Sequence, residues 1–368
     1  MAHILLVTHT YPPAIDGGSQ VIYKIGQYLK SQGHQIMVLS SNATSTDDFT
    51  HSYKPVNSYL PVYTAFHRPL KLFSKVLSKG PIFKFIPFIK FLVSCIQFHP
   101  DYIISGPLPT TSVLYASFIK KITGARLIIN ASFHHTDPEF SQPLLIKALN
   151  SSDFIWTLTN FETNYFHQHF NIPQSKLINL GNGVDKGFIK TKIKNKKSNK
   201  IIFIGSMAAH KGIFTLIDAF SEICHLRSDY SLTLAGQKTL YSPIIENKIN
   251  SLPESIKSRI KIIYNFKSEE LTKLIDRSTV LVSPSTQESF GLVLLEAMAR
   301  GVPVIGADIP ASIELITKSQ AGLIFQQNNA FDLAQKISQI RSNQNGITFA
   351  LNHTWDKIGE SLWQKISS

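Results

Sequence analysis

The chain reads as an α/β protein built from two doubly wound domains, each a mainly parallel sheet with helices on both faces. Three observations predict this. Short runs rich in Ile, Val and Leu alternate with helix-length amphipathic segments along the 368 residues, which is the pattern of successive βα units. That length exceeds what one hydrophobic core ordinarily serves, and 43% of the residues are apolar, enough for two cores. The two series of elements are separated by GFIKTKIKNKKSN at 187–199, polar, lysine-rich and free of acids, which reads as an exposed connection or turn.

Each element has a local reason. In the first series HILLVTHT (3–10) is an apolar run stopped by Tyr11, Pro12 and Pro13. A helix is expected over 19–32 with Ser19 as its amino-terminal cap. QIMVLSS (35–41), DYIISG (101–106) and RLIINAS (126–132) are strands, with a helix through 114–122. The second series runs from KIIFIGS (200–206) through a helix at 212–224 to SLTLAGQ (231–237), KIIYNF (261–266), VLVSP (280–284) and VPVIGAD (302–308). Doubly wound domains take ligands at the carboxyl ends of their strands.

Composition narrows the class. Cys95 and Cys224 are too few for a disulfide framework and no zinc-type spacing is present, so a reducing cytoplasm is expected. The amino terminus has no basic segment before its apolar run and reads as a strand, not a signal peptide. A formal charge of +13 permits an anionic partner. No nucleic-acid motif accompanies it and the basic residues are spread over both domains, so nucleic acid is not expected.

The most informative stretch is SPSTQESFGLVLLEAMARGVPVIGAD at 283–308. Glu288 falls in the loop at a strand's carboxyl end. Glu296 falls inside the following helix, whose apolar face is expected to hold Leu292, Leu295 and Ala299, and Gly301 ends it. The helix start around Ser289, Phe290, Gly291 and Leu292 offers backbone N–H groups and a positive dipole end to a phosphate. Carboxylates accept from vicinal hydroxyls. Two of them beside an anion site suit a sugar at each end of a phosphate bridge, as in a nucleotide sugar. The plain alternative is a solvated Glu288 and a Glu296 that pairs with Arg300 at i,i+4.

These residues resemble a known signature. SxxxESFGxxxLEAMAxGxPV resembles that of family 4 glycosyltransferases, retaining enzymes of the GT-B fold, in which two Rossmann-like domains face each other across a cleft. HILLVTHTYPPAIDGGSQ (3–20) resembles the family's first strand and glycine loop, GNGVD (181–185) its interdomain turn, and GSMAAHKG (205–212) its diphosphate loop. The resemblance implies an acceptor-side domain over 1–183, a nucleotide-sugar-binding domain over 184–350 and a terminal helix, 351–368, that packs back on the first. It implies that Glu296 holds the ribose hydroxyls, Glu288 meets the transferred sugar and Lys211 neutralises the diphosphate. Asn265 and Phe266 fall near the base, mainly through their backbone. Where the family usually places an arginine behind the glycine of the diphosphate loop, this chain has Ser206, so one bidentate phosphate ligand is missing. Gly205 and Gly212 still permit a close backbone approach.

In the first domain Gly17 and Gly18, after Asp16, let a sugar or phosphate near the backbone, although a plain turn explains them equally. His134 and His135 follow a strand where the family often has a histidine that contacts the donor sugar, and the two are assigned together. No Asp-x-Asp pair or metal cluster is read, so no metal and no cofactor beyond the donor are expected. The implied chemistry is a same-face displacement in which the leaving diphosphate oxygen takes the acceptor's proton. Glu288 as a covalent nucleophile is the other route. Closure of the cleft is expected to order the loops at Gly17, Lys211 and Phe290.

The segment 67–99 mixes Leu, Phe and Ile with lysines and has no acid, with Lys71, Lys75 and Lys79 as an i,i+4 stripe. It suits an anionic membrane interface, the alternative being a core helix pair with solvated lysines. Lys84, Pro87 and Lys90 break it as a transmembrane span. The function expected is transfer of a hexosyl unit to a glycan or lipid-linked acceptor in cell-envelope polysaccharide, lipopolysaccharide or glycolipid synthesis, in the cytoplasm or peripherally at the inner face of its membrane. The alternatives are a silent sugar-nucleotide-binding subunit, suggested by Ser206, and a nonhydrolysing sugar-nucleotide epimerase on the same fold, against which Glu288 argues.

Overall fold

The computed structural model describes residues 1–12, 17–41, 62–65, 85–135, 138–190, 199–227, 229–341 and 344–368. Asp16, Lys71, Lys75, Lys79, Lys84 and residues 191–198 of the expected connection lie outside them. The chain divides into two compact units, Met1–Asn182 with Trp355–Ser368, and Gly183–Thr354.

The first unit runs β1 (His3–Thr8), α1 (Gly17–Ser31), β2 (Gln35–Ser41), β3 (Val62–Ala65), α2 (Phe85–Phe98), β4 (Tyr102–Gly106), α3 (Thr111–Thr123), β5 (Arg126–Asn130), α4 (Pro143–Ser151), β6 (Phe154–Thr157), α5 (Asn160–His169) and β7 (Leu177–Asn179). The second runs β8 (Asn199–Ile204), α6 (Ile213–Leu226), β9 (Tyr230–Gly236), α7 (Ser242–Asn250), α8 (Glu254–Lys257), β10 (Ile260–Tyr264), α9 (Ser268–Arg277), β11 (Val280–Ser283), α10 (Leu292–Ala299), β12 (Val304–Ala307), α11 (Pro310–Ser319), β13 (Gly322–Phe325), α12 (Ala330–Gln339) and α13 (Asn345–Leu351). The last helix, α14 (Trp355–Ser367), belongs to the first unit.

Each sheet is parallel throughout. The first has the order β3-β2-β1-β4-β5-β6-β7 and the second β10-β9-β8-β11-β12-β13. In both, the chain winds outward from its first strand and then returns to that strand's other side. β1 therefore neighbours β4 (Val7 opposite Ser105) and β8 neighbours β11 (Ile202 opposite Leu281) at the switch in winding direction. Doubly wound sheets bind ligands beyond the carboxyl ends of their strands at such a switch point.

Buried strand residues such as Leu5, Ile103, Leu127 and Ile129 build one core with α3, α4 and α5. Phe203, Leu232, Val282 and Ile305 build the other with α6, α7 and α12. Helix α14 joins the first unit through Trp363, whose ring lies 4.1 Å from that of His34 and 5.2 Å from that of Tyr102. Arg126 Nη1 donates to the Ile366 carbonyl at 2.6 Å. Burial lowers the pKa of His34, which fits a neutral ring tilted against the indole.

Three sequence expectations change. Helix α1 starts at Gly17, so Ser19 lies inside its first turn and is not its cap. Strands β3, β6, β7 and β13 are of three or four residues, too short for periodicity to register. Helix α10 does not have a single apolar stripe: Leu294, Leu295, Ala297, Met298 and Ala299 are all buried while Leu292 is only partly so. It packs against α13 as well as against β11 and β12, and a helix enclosed on several sides is apolar around most of its circumference.

Candidate active site

In the second unit the site grows from two loops that leave neighbouring strands at the switch point. After β8 the chain passes Gly205 and Ser206, makes one short 3-10 turn over Ala209–Lys211 and reaches Gly212, which is left-handed (φ 63°). A Cβ at Gly212 would stand 2.0 Å from the Pro284 carbonyl oxygen, so only glycine lets this turn press against the start of the loop after β11. The loops are then tied together: the Thr286 amide donates to the His210 carbonyl at 2.8 Å and its hydroxyl to the same oxygen at 3.1 Å. Gln327 Nε2 donates to the Thr286 carbonyl at 3.1 Å.

That juxtaposition brings Lys211 to Glu288, 77 residues away, with Nζ 2.5 Å from Oε1. Ser285 Oγ donates to the same carboxylate oxygen at 2.9 Å. Both charged side chains are mostly enclosed, with 17% and 16% exposure, so the pair is a strong charge-assisted contact and not a screened surface bridge. Arg300 does not pair with Glu296. Its guanidinium holds Asp276 through Nε at 3.0 Å and Nη2 at 2.5 Å and donates from Nη1 to the Phe188 carbonyl at 2.8 Å.

Glu296 lies on α10, which starts from Gly291 in a left-handed conformation (φ 84°). Phe290 is buried, and Ser289 and Leu292 are partly so. Glu296 keeps intermediate exposure as a residue, while its carboxyl is crowded by protein. That burial, and secondarily the nearby Asp185 carboxylate, pushes its pKa up to about 8. At neutral pH it is mainly protonated and can both donate to and accept from a vicinal diol.

A third loop flanks the first. The Gly205 amide donates to the Ala235 carbonyl and the Met207 amide to the Gln237 carbonyl, both at 3.0 Å. Thr239 Oγ1 donates to the Met207 carbonyl. A Cβ on Gly236 would fall 1.6 Å from the Gly205 carbonyl oxygen, so the end of β9 and the loop after β8 meet backbone to backbone. Asn265, left-handed (φ 51°), continues this layer: its amide donates to the Gly236 carbonyl at 2.9 Å and its Oδ1 accepts from the Lys238 amide at 3.1 Å. Phe266 follows it, partly buried.

In the first unit Gly17 and Gly18 open α1. His134 and His135 follow β5, with their rings 5.6 Å from Phe140 and 4.9 Å from Phe161. Their loop is anchored by Glu162, 1% exposed, whose carboxylate accepts from the Phe133 amide at 2.8 Å and the Leu158 amide at 2.6 Å. Among the described residues no group of three or more His, Cys, Asp or Glu is arranged to hold a metal.

Sequence reasoning missed Ser285, the Asp185 carboxylate beside Glu296, Glu162, and Lys238, whose ammonium lies 5.2 Å from the Tyr264 ring centroid. Ser285 sits inside the motif that was read, so its hydroxyl was available as a signal. The others depend on contacts that no local pattern announces.

Each unit is a doubly wound parallel sheet, and the second carries Lys211, Glu288 and Glu296 on the loops and helix that follow its switch-point strands. The model for glycosyl transferases group 1 matches residues 185–361, and that for glycosyltransferase family 4 matches residues 15–188. The chain belongs to this family. It is 28% identical over 220 residues to an uncharacterized glycosyltransferase of Methanocaldococcus jannaschii, covering 57% of this chain and 58% of that one. To glycogen synthase of Mycobacterium tuberculosis it is 21% identical over 92% of this chain and 85% of the other. The crystal structure of Anabaena HepE in complex with UDP and glucose superposes over the whole of both chains with a TM-score of 0.77 at 16% identity.

Proposed function

We propose that the chain is a retaining glycosyltransferase that moves a hexosyl unit from a nucleoside-diphosphate sugar to a glycan or lipid-linked acceptor. The pathway is synthesis of a cell-envelope polysaccharide, lipopolysaccharide or glycolipid at the inner face of the cytoplasmic membrane. The observation that carries this reading is the Lys211–Glu288 pair at the switch point. It sets a cation for a diphosphate and a carboxylate for sugar hydroxyls 2.5 Å apart. A UDP-bound relative of the same fold supports a nucleotide sugar as donor.

On this reading Lys211 exchanges Glu288 for the diphosphate, and Glu288 is freed to accept from the transferred sugar. The ribose hydroxyls meet the protonated Glu296, and the backbone at Gly205, Ser206, Asn265 and Phe266 lines the nucleoside. The start of α10 at Ser289, Phe290, Gly291 and Leu292 faces the phosphates. The acceptor attacks the anomeric carbon on the face the diphosphate leaves. Its proton passes to the departing diphosphate oxygen, so configuration is kept and no covalent intermediate is needed. Neither a metal nor another cofactor takes part.

Calorimetry with UDP, GDP, ADP and their hexose conjugates, in magnesium and in chelator, tests the donor site. Binding of one conjugate that persists in chelator is expected, and binding only with magnesium would overturn the metal-free reading. With an acceptor in hand, the anomeric configuration of the product by NMR decides retention, and an inverted product rules it out. Ser206, which has no charge to offer a phosphate, favours a second reading, a silent donor-binding subunit. Tight binding with neither transfer nor hydrolysis would identify that.

A further inference from the structure

Helices α2, α3 and α4 lie side by side over one face of the first sheet. Cys95, Val113, Ile119, Leu145 and Leu149 contribute to one shared core there, and α3 packs against both of the others. Their outer sides are unusual for helices that end a domain at water. Val93 (48% exposed) and Ile96 (44%) on α2, Phe118 (44%) and Ile122 (43%) on α3, and Leu144 (44%) on α4 all keep large apolar surface outside. Val93–Ile96 and Phe118–Ile122 are spaced as helical neighbours. Lys121 and Lys147 are exposed on the same helices. None of the three contains an Asp or Glu, and the chain has no acid anywhere from residue 49 to 100. Lys120 is already held by Asp153 at 2.6 Å and is not counted. The second unit is different: Lys248 pairs with Asp218, Lys318 with Glu314 and Lys336 with Asp332.

We infer that the outer face of α2, α3 and α4 docks on an anionic lipid surface, an inference that rests on the membrane location proposed above and names the face that makes the contact. Half-exposed aliphatic and aromatic side chains enter the boundary between headgroups and acyl chains, while Lys121 and Lys147 meet lipid phosphates. The charge pattern selects this occupant. A second copy of the same face would set lysine against lysine with no acid to answer it. A nucleic-acid groove would want arginines and aromatic platforms, and these helices contain no arginine. Among the described residues no helix is long and apolar enough to cross a membrane, so the contact is a surface one.

The test is flotation of the full chain with vesicles of phosphatidylcholine alone or mixed with phosphatidylglycerol, at low and high salt. Binding to the mixed vesicles only, weakened by salt, is expected. Ile96→Ser with Ile122→Ser, and separately Lys121→Glu with Lys147→Glu, should each lower partitioning roughly tenfold or more. Thermal melting and the nucleoside-diphosphate isotherm should not move, so failure here is separable from failure of the proposed activity. Three results would overturn the inference: wild-type protein that floats with neither vesicle, variants that float like wild type, or a shift from dimer to monomer in the Ile variant without any vesicle binding.

Discussion

The carboxyl edges of the two sheets end differently. In the second, the loops after β8 and β11 are tied through Thr286 and His210, and their charges, Lys211 and Glu288, are already closed on each other. In the first, Ser40 on β2, Thr8 on β1, Ser105 on β4 and Asn130 on β5 are at most 1% exposed. Their hydroxyls and the Asn130 Nδ2 have no hydrogen-bond partner among the described residues. An unanswered buried polar group costs about 1–3 kcal/mol. The second unit thus holds a closed ion pair at its switch point, whereas the first buries neutral polar groups that the described residues leave unanswered.

The sharpest way to break this contrast is Gly212→Ala. A side chain must either clash with the Pro284 carbonyl oxygen 2.0 Å away or leave the left-handed conformation, and both separate the loops that hold the pair. A loss of about 3 kcal/mol in denaturant unfolding of the second unit is expected, together with loss of nucleoside-diphosphate binding. An unfolding midpoint like that of wild type would show that the loops are not clamped there.

Next in size, Lys211→Ala should weaken nucleoside-diphosphate binding by about 2–3 kcal/mol in calorimetry, the worth of a charge-assisted contact. Glu288→Gln should leave that isotherm nearly unchanged while turnover drops on the order of a hundredfold. Equal loss of binding in both variants would mean that the pair acts only as a structural clasp.

Glu296 supplies a pH test. Its folded pKa is raised from 4.5 to about 8, so the folded state binds the proton more tightly than the unfolded chain. The resulting stability is fully present below pH 4.5 and is lost as pH rises through 8. Glu296→Gln keeps a neutral side chain throughout. Its unfolding free energy should therefore gain on that of wild type from pH 5 to pH 9, by roughly 2 kcal/mol after allowance for solvent screening. A constant gap would show that the carboxyl is not held protonated.

The smallest effect belongs to the first unit. Thr8→Val removes the buried hydroxyl at nearly constant shape and should be neutral or stabilising by up to ~1 kcal/mol in chemical unfolding. Clear destabilisation would mean that the hydroxyl is already satisfied, and the contrast between the two edges would weaken.

Much of this could be read locally. β1, β8 and β11 are apolar runs with a turn residue behind them, and Gly205, Lys211, Glu288 and Glu296 stand inside motifs whose residue types already suggest phosphate and hydroxyl recognition. Strand β13, four residues of GLIF, carries no periodicity to read and forms because β12 offers it an edge. Glu162 looks like any helix-start acid until β5 and β6 lie side by side and their following loops present the Phe133 and Leu158 amides to it. Asp185 and Glu296 are distant in sequence, and only packing sets them close enough to raise a carboxyl pKa.

The sequence by itself determined the two series of βα units, the acid-free lysine bias of 49–100 and the residue types available at each strand end, because periodicity, turn chemistry and charge are properties of neighbouring residues. The tertiary structure decided which strand ends are neighbours. Placing β11 beside β8, and not beside β10, which precedes it, is what lets residues 77 apart form one ion pair. That order comes from handed crossovers and from helices packing on both faces of the sheet, long-range constraints that no local segment contains.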